Sequence, residues 1–199
     1  MKEGPTSPAG SGLPHRPRPA IPNGVLGMIV FVAIEVMMFA GLISAFIITR
    51  EGAVGGIWPP PGQPRLPIEV TAINTLALLV SGATLVWAER SFRKGREQAN
   101  WPLFATLLLG LFFVGAQGRE WLALIEQGLT LVSSAYGSFF YLIVGMHGLH
   151  AILALLGLVW AWVHLKRGLL KDTEFWAVQV FWYFVVGLWP LLYWLVYLS

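Results

Sequence analysis

The stretch VLGMIVFVAIEVMMFAGLISAFIIT, residues Val25–Thr49, decides the fold because Glu35 is its only charged side chain. At 1.5 Å per residue, an α-helix of this length spans more than the ~30 Å hydrocarbon core of a bilayer. A bilayer offers no water to backbone N–H and C=O groups, so a segment within it must be helical. The stretch therefore predicts a transmembrane helix with a carboxylate near its middle.

Four further apolar segments follow this one along the chain. Each exceeds the ~20 residues that a membrane-spanning helix needs. They are Ile68–Ala88, Leu103–Ile125, Tyr136–His164 and Phe175–Leu198. The sequence thus predicts an all-α integral membrane bundle of five transmembrane helices, in a domain that covers residues 25–199.

The composition agrees with a membrane protein and excludes several kinds of redox centre. Of the 199 residues, 56% are hydrophobic and 12% are charged, whereas soluble domains carry about 25% charged residues. So few polar side chains cannot cover the surface of a soluble globule. The absence of cysteine excludes disulfides, thiolate-held iron–sulfur clusters, covalent c-type haem and cysteine-bridged copper.

Residues 1–24, MKEGPTSPAGSGLPHRPRPAIPNG, are rich in Pro, Gly and Ser. This composition predicts a disordered cytoplasmic tail. The apolar run that follows is about twice as long as the core of a signal peptide and has no small-residue cleavage site, so the segment is not interpreted as a secretory signal.

The basic residues predict the orientation of the bundle. Ten of the thirteen Lys and Arg lie in the tail and in the second and fourth connections, on one side of the predicted bundle. Because Lys and Arg are enriched in cytoplasmic loops, this bias places the N-terminus inside and the C-terminus outside. We interpret the basic charge as a topology signal and expect no nucleic-acid partner.

Glu35 is the deepest acidic residue of the predicted membrane domain. A charged carboxylate at this depth costs several kcal/mol, so it must be protonated or have a partner. One hypothesis is a proton-handling or lipid-contacting group at an interface. The structural alternative is a protonated hydrogen bond that fixes the packing of two helices.

His147 and His150 are three residues apart in the fourth segment. Histidine suits haem or metal ligation, but the remaining histidines are His15 in the tail and His164 at a helix end. Haem held by histidines from two helices of this chain is therefore excluded, and no Glu-x-x-His pair of a di-metal site occurs. We expect His147 and His150 to form interhelical hydrogen bonds, with Glu35 or Glu120 as candidate partners.

The polar residues of the second and third segments have structural interpretations. Glu69 opens the second segment, where an acidic side chain suits the helix dipole. Asn74 lies deeper and is expected to bond to a neighbouring helix. Gln117 and Glu120 share one face near the end of the third segment, where a specific role and a polar helix end are both open. No phosphate-binding loop, nucleophile elbow or dinucleotide fingerprint is present.

Six short motifs, in this order, resemble subunit III of haem–copper oxidases such as cytochrome c oxidase. They are EVMMF at Glu35–Phe39, WPP at Trp58–Pro60, Glu69 followed by Asn74-Thr75, QGRE at Gln117–Glu120, YGSFF at Tyr136–Phe140 and GMHGLH at Gly145–His150. The resemblance extends from about residue 23 to the C-terminus. Five segments resemble the short bacterial form of the family, which lacks the first two of seven helices.

The resemblance implies a cofactor-free, non-catalytic subunit in the bacterial plasma membrane, with haem and copper in partner subunits. It implies direct binding to catalytic subunit I, with subunit II and a small subunit IV as further partners, and support of proton uptake and turnover stability. Bound phospholipid is expected in the family's V-shaped cleft. Glu35 matches the family's intramembrane glutamate, and Glu69, Glu120, His147 and His150 match polar positions with structural or interfacial roles.

The last segment departs from the family pattern. Where the family has Trp-His-Phe-Val-Asp, this chain has WYFVV at Trp182–Val186. Tyr183 can still donate a hydrogen bond, whereas Val186 cannot, so the contact made by this pair is altered. Two alternatives stay open: a subunit associated with nitric-oxide reductase, and a proton-coupled transporter with Glu35, His147 and His150 as a relay. A haem-binding cytochrome fails on ligand count.

Overall fold

The computed structural model describes residues 23–53, 58–60, 63–64 and 66–198. Their main elements are five long helices: α1 (Asn23–Glu51), α2 (Ile68–Lys94), α3 (Asn100–Glu126), α4 (Ala135–Lys166) and α5 (Asp172–Tyr193). A 3₁₀ turn, Arg96–Ala99, joins α2 to α3, and a π-helical turn, Trp194–Leu198, extends α5. The described part of the chain contains no strand, so the predicted all-α class is confirmed.

All five helices are long and apolar enough to cross a membrane. Their ends extend beyond the apolar runs; α2, for example, continues past Ala88 to Lys94. Basic side chains in a last helical turn interact favourably with the helix dipole, so charged residues at the interface can prolong a helix. Of the predicted tail, residues 1–22 lie outside the described residues, and Asn23 and Gly24 belong to α1.

Helix α5 holds the bundle together. It packs against α4, α1 and α2, while α3 packs against α2 and α4, and α1 rests on α4 and α5. Trp182 and Trp189 of α5 are fully buried and form the centre of the core. Most of α1 is exposed, since Val25, Phe39 and Phe46 are its buried side chains.

Two glycines allow the helices to approach closely. A Cβ atom on Gly110 of α3 would lie 2.6 Å from the ring of Trp182, and one on Gly82 of α2 would lie 3.0 Å from Val186. Small residues at such positions let helix backbones come together, which is the main packing device of membrane helices.

The end of α5 changes its helical winding after Pro190. Proline has no N–H and cannot continue the i→i−4 bonding of an α-helix. In the wider π turn that follows, the consecutive side chains of Leu195, Val196 and Tyr197 are all buried. This geometry brings the Tyr197 hydroxyl into the bundle.

Specific contacts fix the connections at each end of the bundle. At one end, Nη1 of Arg96 donates to the carbonyl of Leu170 at 2.6 Å, which joins the α2–α3 and α4–α5 connections. At the other end, the ring of Trp58 meets those of Phe46 and Tyr136 edge to face. A polar contact thus fixes the connections at one end, and aromatic contacts fix them at the other.

Candidate functional site

The clearest polar contact inside the bundle joins α1 to α4. Nε2 of His150 lies 3.0 Å from a carboxylate oxygen of Glu35, and the two side chains are 7% and 14% exposed. The oxygen lies off the ideal hydrogen-bond direction, so this close contact becomes an ion pair only when the imidazole is protonated. Glu35 reaches His150 because Glu35, Phe39 and Phe46 occupy the side of α1 that faces α4 and α5.

The second ring nitrogen of His150 fixes the protonation pattern. Nδ1 lies 2.7 Å from the carbonyl oxygen of Met146, which can only accept a hydrogen bond. Nδ1 therefore carries the hydrogen in every state, and Nε2 is protonated only when the imidazole is charged. The pair can hold one proton, on the carboxyl group or on Nε2, and is neutral overall in both forms.

Aromatic rings surround this pair. The ring centres of Phe39, Phe181 and Phe184 lie 5.6, 6.1 and 6.1 Å from that of His150. Such a lining lowers the local dielectric, which strengthens the attraction within the pair and penalises an unpaired charge. The two side chains therefore lie in an environment that favours their direct contact.

The residues after Glu35 belong to the apolar surface that α1 turns away from the bundle. Val36 and Met37 are 50% and 66% exposed. At about 100° per residue, Val36 lies roughly a quarter turn from Glu35 and Met37 lies on nearly the opposite side of the helix. The Glu35 side chain itself is 14% exposed, so a small part of it is accessible from outside the bundle.

His147 behaves differently from the expectation. Neither of its ring nitrogens has a hydrogen-bond partner among the described residues, so the expected interhelical hydrogen bond is corrected. The ring lies 4.9 Å from Trp189 and 6.2 Å from Phe113, between α5 and α3. Three residues of an α-helix turn by about 300°, so the two histidines point about 60° apart. His150 therefore faces α1, while His147 faces the aromatic core.

Asn74 and Gln117 form the centre of a buried hydrogen-bond chain. Nδ2 of Asn74 donates to Oε1 of Gln117 at 3.2 Å and to the carbonyl of Phe113 at 3.3 Å. Nε2 of Gln117 donates to the Tyr197 hydroxyl at 3.0 Å. The chain joins α2, α3 and the turn after α5, so Asn74 bonds to a neighbouring helix and Gln117 lies at a helix junction.

Sequence reasoning missed the partners that α5 supplies. Nε1 of Trp189 donates to Thr75 at 2.8 Å, and Nε1 of Trp182 donates to Ser81 at 3.2 Å. Trp182 and Trp189 are seven residues apart, and Ser81 and Thr75 are six apart in the antiparallel helix. The similar spacing of the indole donors along α5 and of the hydroxyl acceptors along α2 is the sequence feature from which this pairing could have been predicted.

The remaining predicted residues lie apart from this chain. Glu69 is exposed in the first turn of α2, and Glu120 is half-buried beside a cavity of about 350 Å³ on α3. The Tyr183 hydroxyl is covered and has no partner within the described ranges. Val186 packs on Gly82, so an apolar contact occupies the position where the family has a carboxylate.

The fold and the site together define the class of protein. It is a multi-pass α-helical membrane protein whose polar chemistry lies between its helices, and the described residues contain no group of three or more His, Cys, Asp or Glu that could hold a metal. The family model of cytochrome c oxidase subunit III matches residues 15–199. The chain belongs to the cytochrome c oxidase subunit III family.

Curated relatives agree with this assignment. The chain is 38% identical to cytochrome c oxidase subunit 3 of Latimeria chalumnae over 84% of this chain and 66% of the relative. It is also 38% identical to the subunit 3 proteins of Danio rerio, over 88% of this chain and 69% of the relative, and of Arabidopsis thaliana, over 84% and 65%. The chain thus spans about two thirds of the length of these relatives.

The family match confirms the resemblance derived from the six motifs. The match supports the assignment of this chain as an accessory subunit of an oxidase, in a family whose members are generally without cofactors.

Proposed function

We propose that this chain is the accessory, cofactor-free subunit III of a haem–copper terminal oxidase in a bacterial plasma membrane. Its N-terminus lies inside, it binds catalytic subunit I directly, and subunit II and a small subunit IV complete the complex. Haem and copper are held by the partner subunits. The family match over residues 15–199 supports this proposal.

The Glu35–His150 pair supports a role in proton uptake. The pair holds one proton in a water-poor environment and stays neutral overall. Proton transfer within the pair leaves its net charge unchanged. Release of the proton to another group must be matched by uptake of a second proton, because a bare charge in the membrane is costly. We propose that the pair helps to supply protons to the catalytic subunit and keeps that subunit stable during turnover.

The apolar face of α1 supports phospholipid binding. Val36 and Met37, which follow Glu35 in sequence, are exposed, and Ile48 is 72% exposed toward the other end of α1. Acyl chains match this face chemically. We propose that phospholipid lies along α1 and covers the carboxylate.

A purification of the tagged chain in mild detergent tests the proposal. The reduced-minus-oxidised visible spectrum and the oxygen uptake of the material are recorded. We expect haem signal and oxygen consumption to accompany the chain and to disappear when a harsh detergent isolates it. Nitric-oxide reduction instead of oxygen uptake would favour the reductase alternative, and a colourless, inactive chain that purifies alone would contradict an oxidase role.

Substitution of Glu35 tests the role of the pair. We expect Glu35→Gln to leave the complex assembled, because the amide can still hydrogen-bond, but to slow proton uptake or hasten inactivation during turnover. Glu51→Gln is the matched control, since Glu51 is an exposed acidic residue at the end of α1 and pairs with Arg50 at 3.3 Å. Wild-type behaviour of Glu35→Gln at every pH would show that Glu35 only supports packing.

A further inference from the structure

A charged cavity of about 460 Å³ lies between the C-terminal end of α2 and the N-terminal end of α5. It is separate from α1 and from the Glu35–His150 pair. Its lining combines two acidic, two basic and several aromatic residues, among them Glu89, Phe92, Arg93, Arg96, Asp172 and Trp176. The cavity therefore offers charges of both signs at one end of the membrane-spanning bundle.

Each arginine of the cavity is held in place by an acid. Nη2 of Arg93 lies 2.6 Å from Glu89, and Nη2 of Arg96 lies 3.4 Å from Asp172. The Arg93 and Arg96 side chains are 64% and 49% exposed, so both guanidinium groups keep open donors. A guanidinium group has five N–H donors and matches phosphate geometry. The two arginines can therefore accept a phosphate while they stay paired.

We propose that this cavity binds the headgroup of a zwitterionic phospholipid that carries a primary ammonium, as in phosphatidylethanolamine. The phosphate lies on Arg93 and Arg96, and the ammonium lies between Glu89 and Asp172. Charge-assisted hydrogen bonds to both groups are stronger than neutral ones.

The charge balance selects this headgroup over the alternatives. The four charged side chains sum to zero, so a headgroup with a phosphate and no ammonium would leave both carboxylates facing an anion. A choline headgroup has no N–H to donate to them. Trp176 is 47% exposed beside the cavity, and tryptophan at a helix end is typical of the membrane interface, which favours a lipid over a soluble phosphate ester.

Lipid retention by the full chain tests this proposal. The protein is purified in mild detergent and inserted into nanodiscs with equal amounts of phosphatidylethanolamine, phosphatidylglycerol and phosphatidylcholine, and native mass spectrometry then identifies the retained lipid. We expect phosphatidylethanolamine to be preferred. Arg93→Gln with Arg96→Gln should lower its retention at least about fivefold. Arg90→Gln with Lys94→Gln, at the same helix end but outside the lining, is the matched control and should leave it unchanged.

Removal of the two acidic side chains gives a sharper test, because the expected result is a gain of affinity for a different lipid. Glu89→Gln with Asp172→Asn should switch the preference to phosphatidylglycerol. This variant also decides the question if the arginine variant fails to fold, since Arg96 additionally holds the Leu170 carbonyl. Equal retention of all three lipids, a preference of the wild-type chain for phosphatidylglycerol, or binding of soluble glycerophosphoethanolamine as tightly as the diacyl lipid would each overturn the proposal.

Discussion

His147 and His150 are three residues apart on α4 but have different surroundings. His150 has a carbonyl at Nδ1 and a carboxylate at Nε2, whereas His147 lies between aromatic rings with no partner for either nitrogen among the described residues. The first therefore has a polar neighbour at each ring nitrogen, whereas the second packs among aromatic rings.

Substitution of His147 separates these two roles. We expect His147→Phe to be neutral or stabilising, because it replaces an unpaired buried polar ring by an apolar ring of similar shape. His147→Ala should cost about 2–5 kcal/mol, since it leaves a cavity beside Trp189. Denaturation of the purified variants in detergent measures the change in the free energy of unfolding for each substitution. If His147→Phe were as damaging as His147→Ala, the imidazole nitrogens would have a partner, such as a buried water.

The residues of the central pair were predictable, but their pairing was not. Glu35 stands out as the only charge in Val25–Thr49, and His150 as a histidine inside an apolar segment. The choice between Glu35 and Glu120 as its partner depends on the rotation of α4 about its axis. Because α4 is apolar on all sides, its sequence lacks the polar face that would reveal this rotation.

At the scale of helices, α3 and α5 meet at a contact that only glycine permits. A Cβ atom on Gly110 would lie 2.6 Å from the ring of Trp182, a fully buried residue that also bonds to Ser81. The ring cannot move without loss of that hydrogen bond. The contact therefore sets the distance between the two helices.

Alanine at Gly110 tests this contact. We expect Gly110→Ala to destabilise the chain by about 1–3 kcal/mol through overpacking. Gly115→Ala is the matched control on the same helix, because nothing lies within 4 Å of its added Cβ; it should be neutral or slightly stabilising, since alanine favours helix more than glycine does. Thermal denaturation of both variants gives the comparison. Equal stability of the two would mean that Trp182 has room to move.

The lengths of the apolar runs predicted that these helices exist. They did not predict the residues at which each helix ends. Lys94, at the end of α2, carries no hydropathy signal for a helix, although the helix dipole favours a basic side chain at that end. The π turn after Pro190 was expected as part of a regular helix, because proline marks a break but does not specify the winding that follows it. Tyr197 was therefore missed as a partner of Gln117.

At the scale of the whole molecule, the two ends of the bundle differ in charge. The end formed by the α2–α3 and α4–α5 connections carries most of the basic residues of the described chain, while the opposite end includes Arg50 and Arg119. The positive-inside rule predicts that the first of these ends faces the cytoplasm.

Labelling with a membrane-impermeant maleimide tests this orientation, since the chain has no cysteine of its own. We expect Val132→Cys, in the exposed α3–α4 connection, to react in intact cells. Gln98→Cys, in the α2–α3 connection, should react only after the cells are opened. The opposite result would reverse the predicted topology. Both positions are exposed, so a difference in reactivity reports the side of the membrane.

The number of spans was predictable from sequence, whereas the arrangement of the helices around α5 was not. Each span is apolar enough to face lipid, so hydropathy does not tell which side of α5 meets α1 and which meets α2. Close-fitting pairs such as Gly82 with Val186 decide that arrangement. Such fits become visible only in three dimensions.

The placement of α1 has a consequence for biogenesis. During synthesis α1 precedes the two helices on which it rests, α4 and α5, and chains form their structure from the N-terminal side as they emerge. Glu35 thus enters the bilayer before His150 exists and is without this partner while α2 and α3 are made, which is when an unpartnered polar side chain costs most. Its encounter with His150 comes only after α4 has been made, so docking of α1 marks a nearly complete chain.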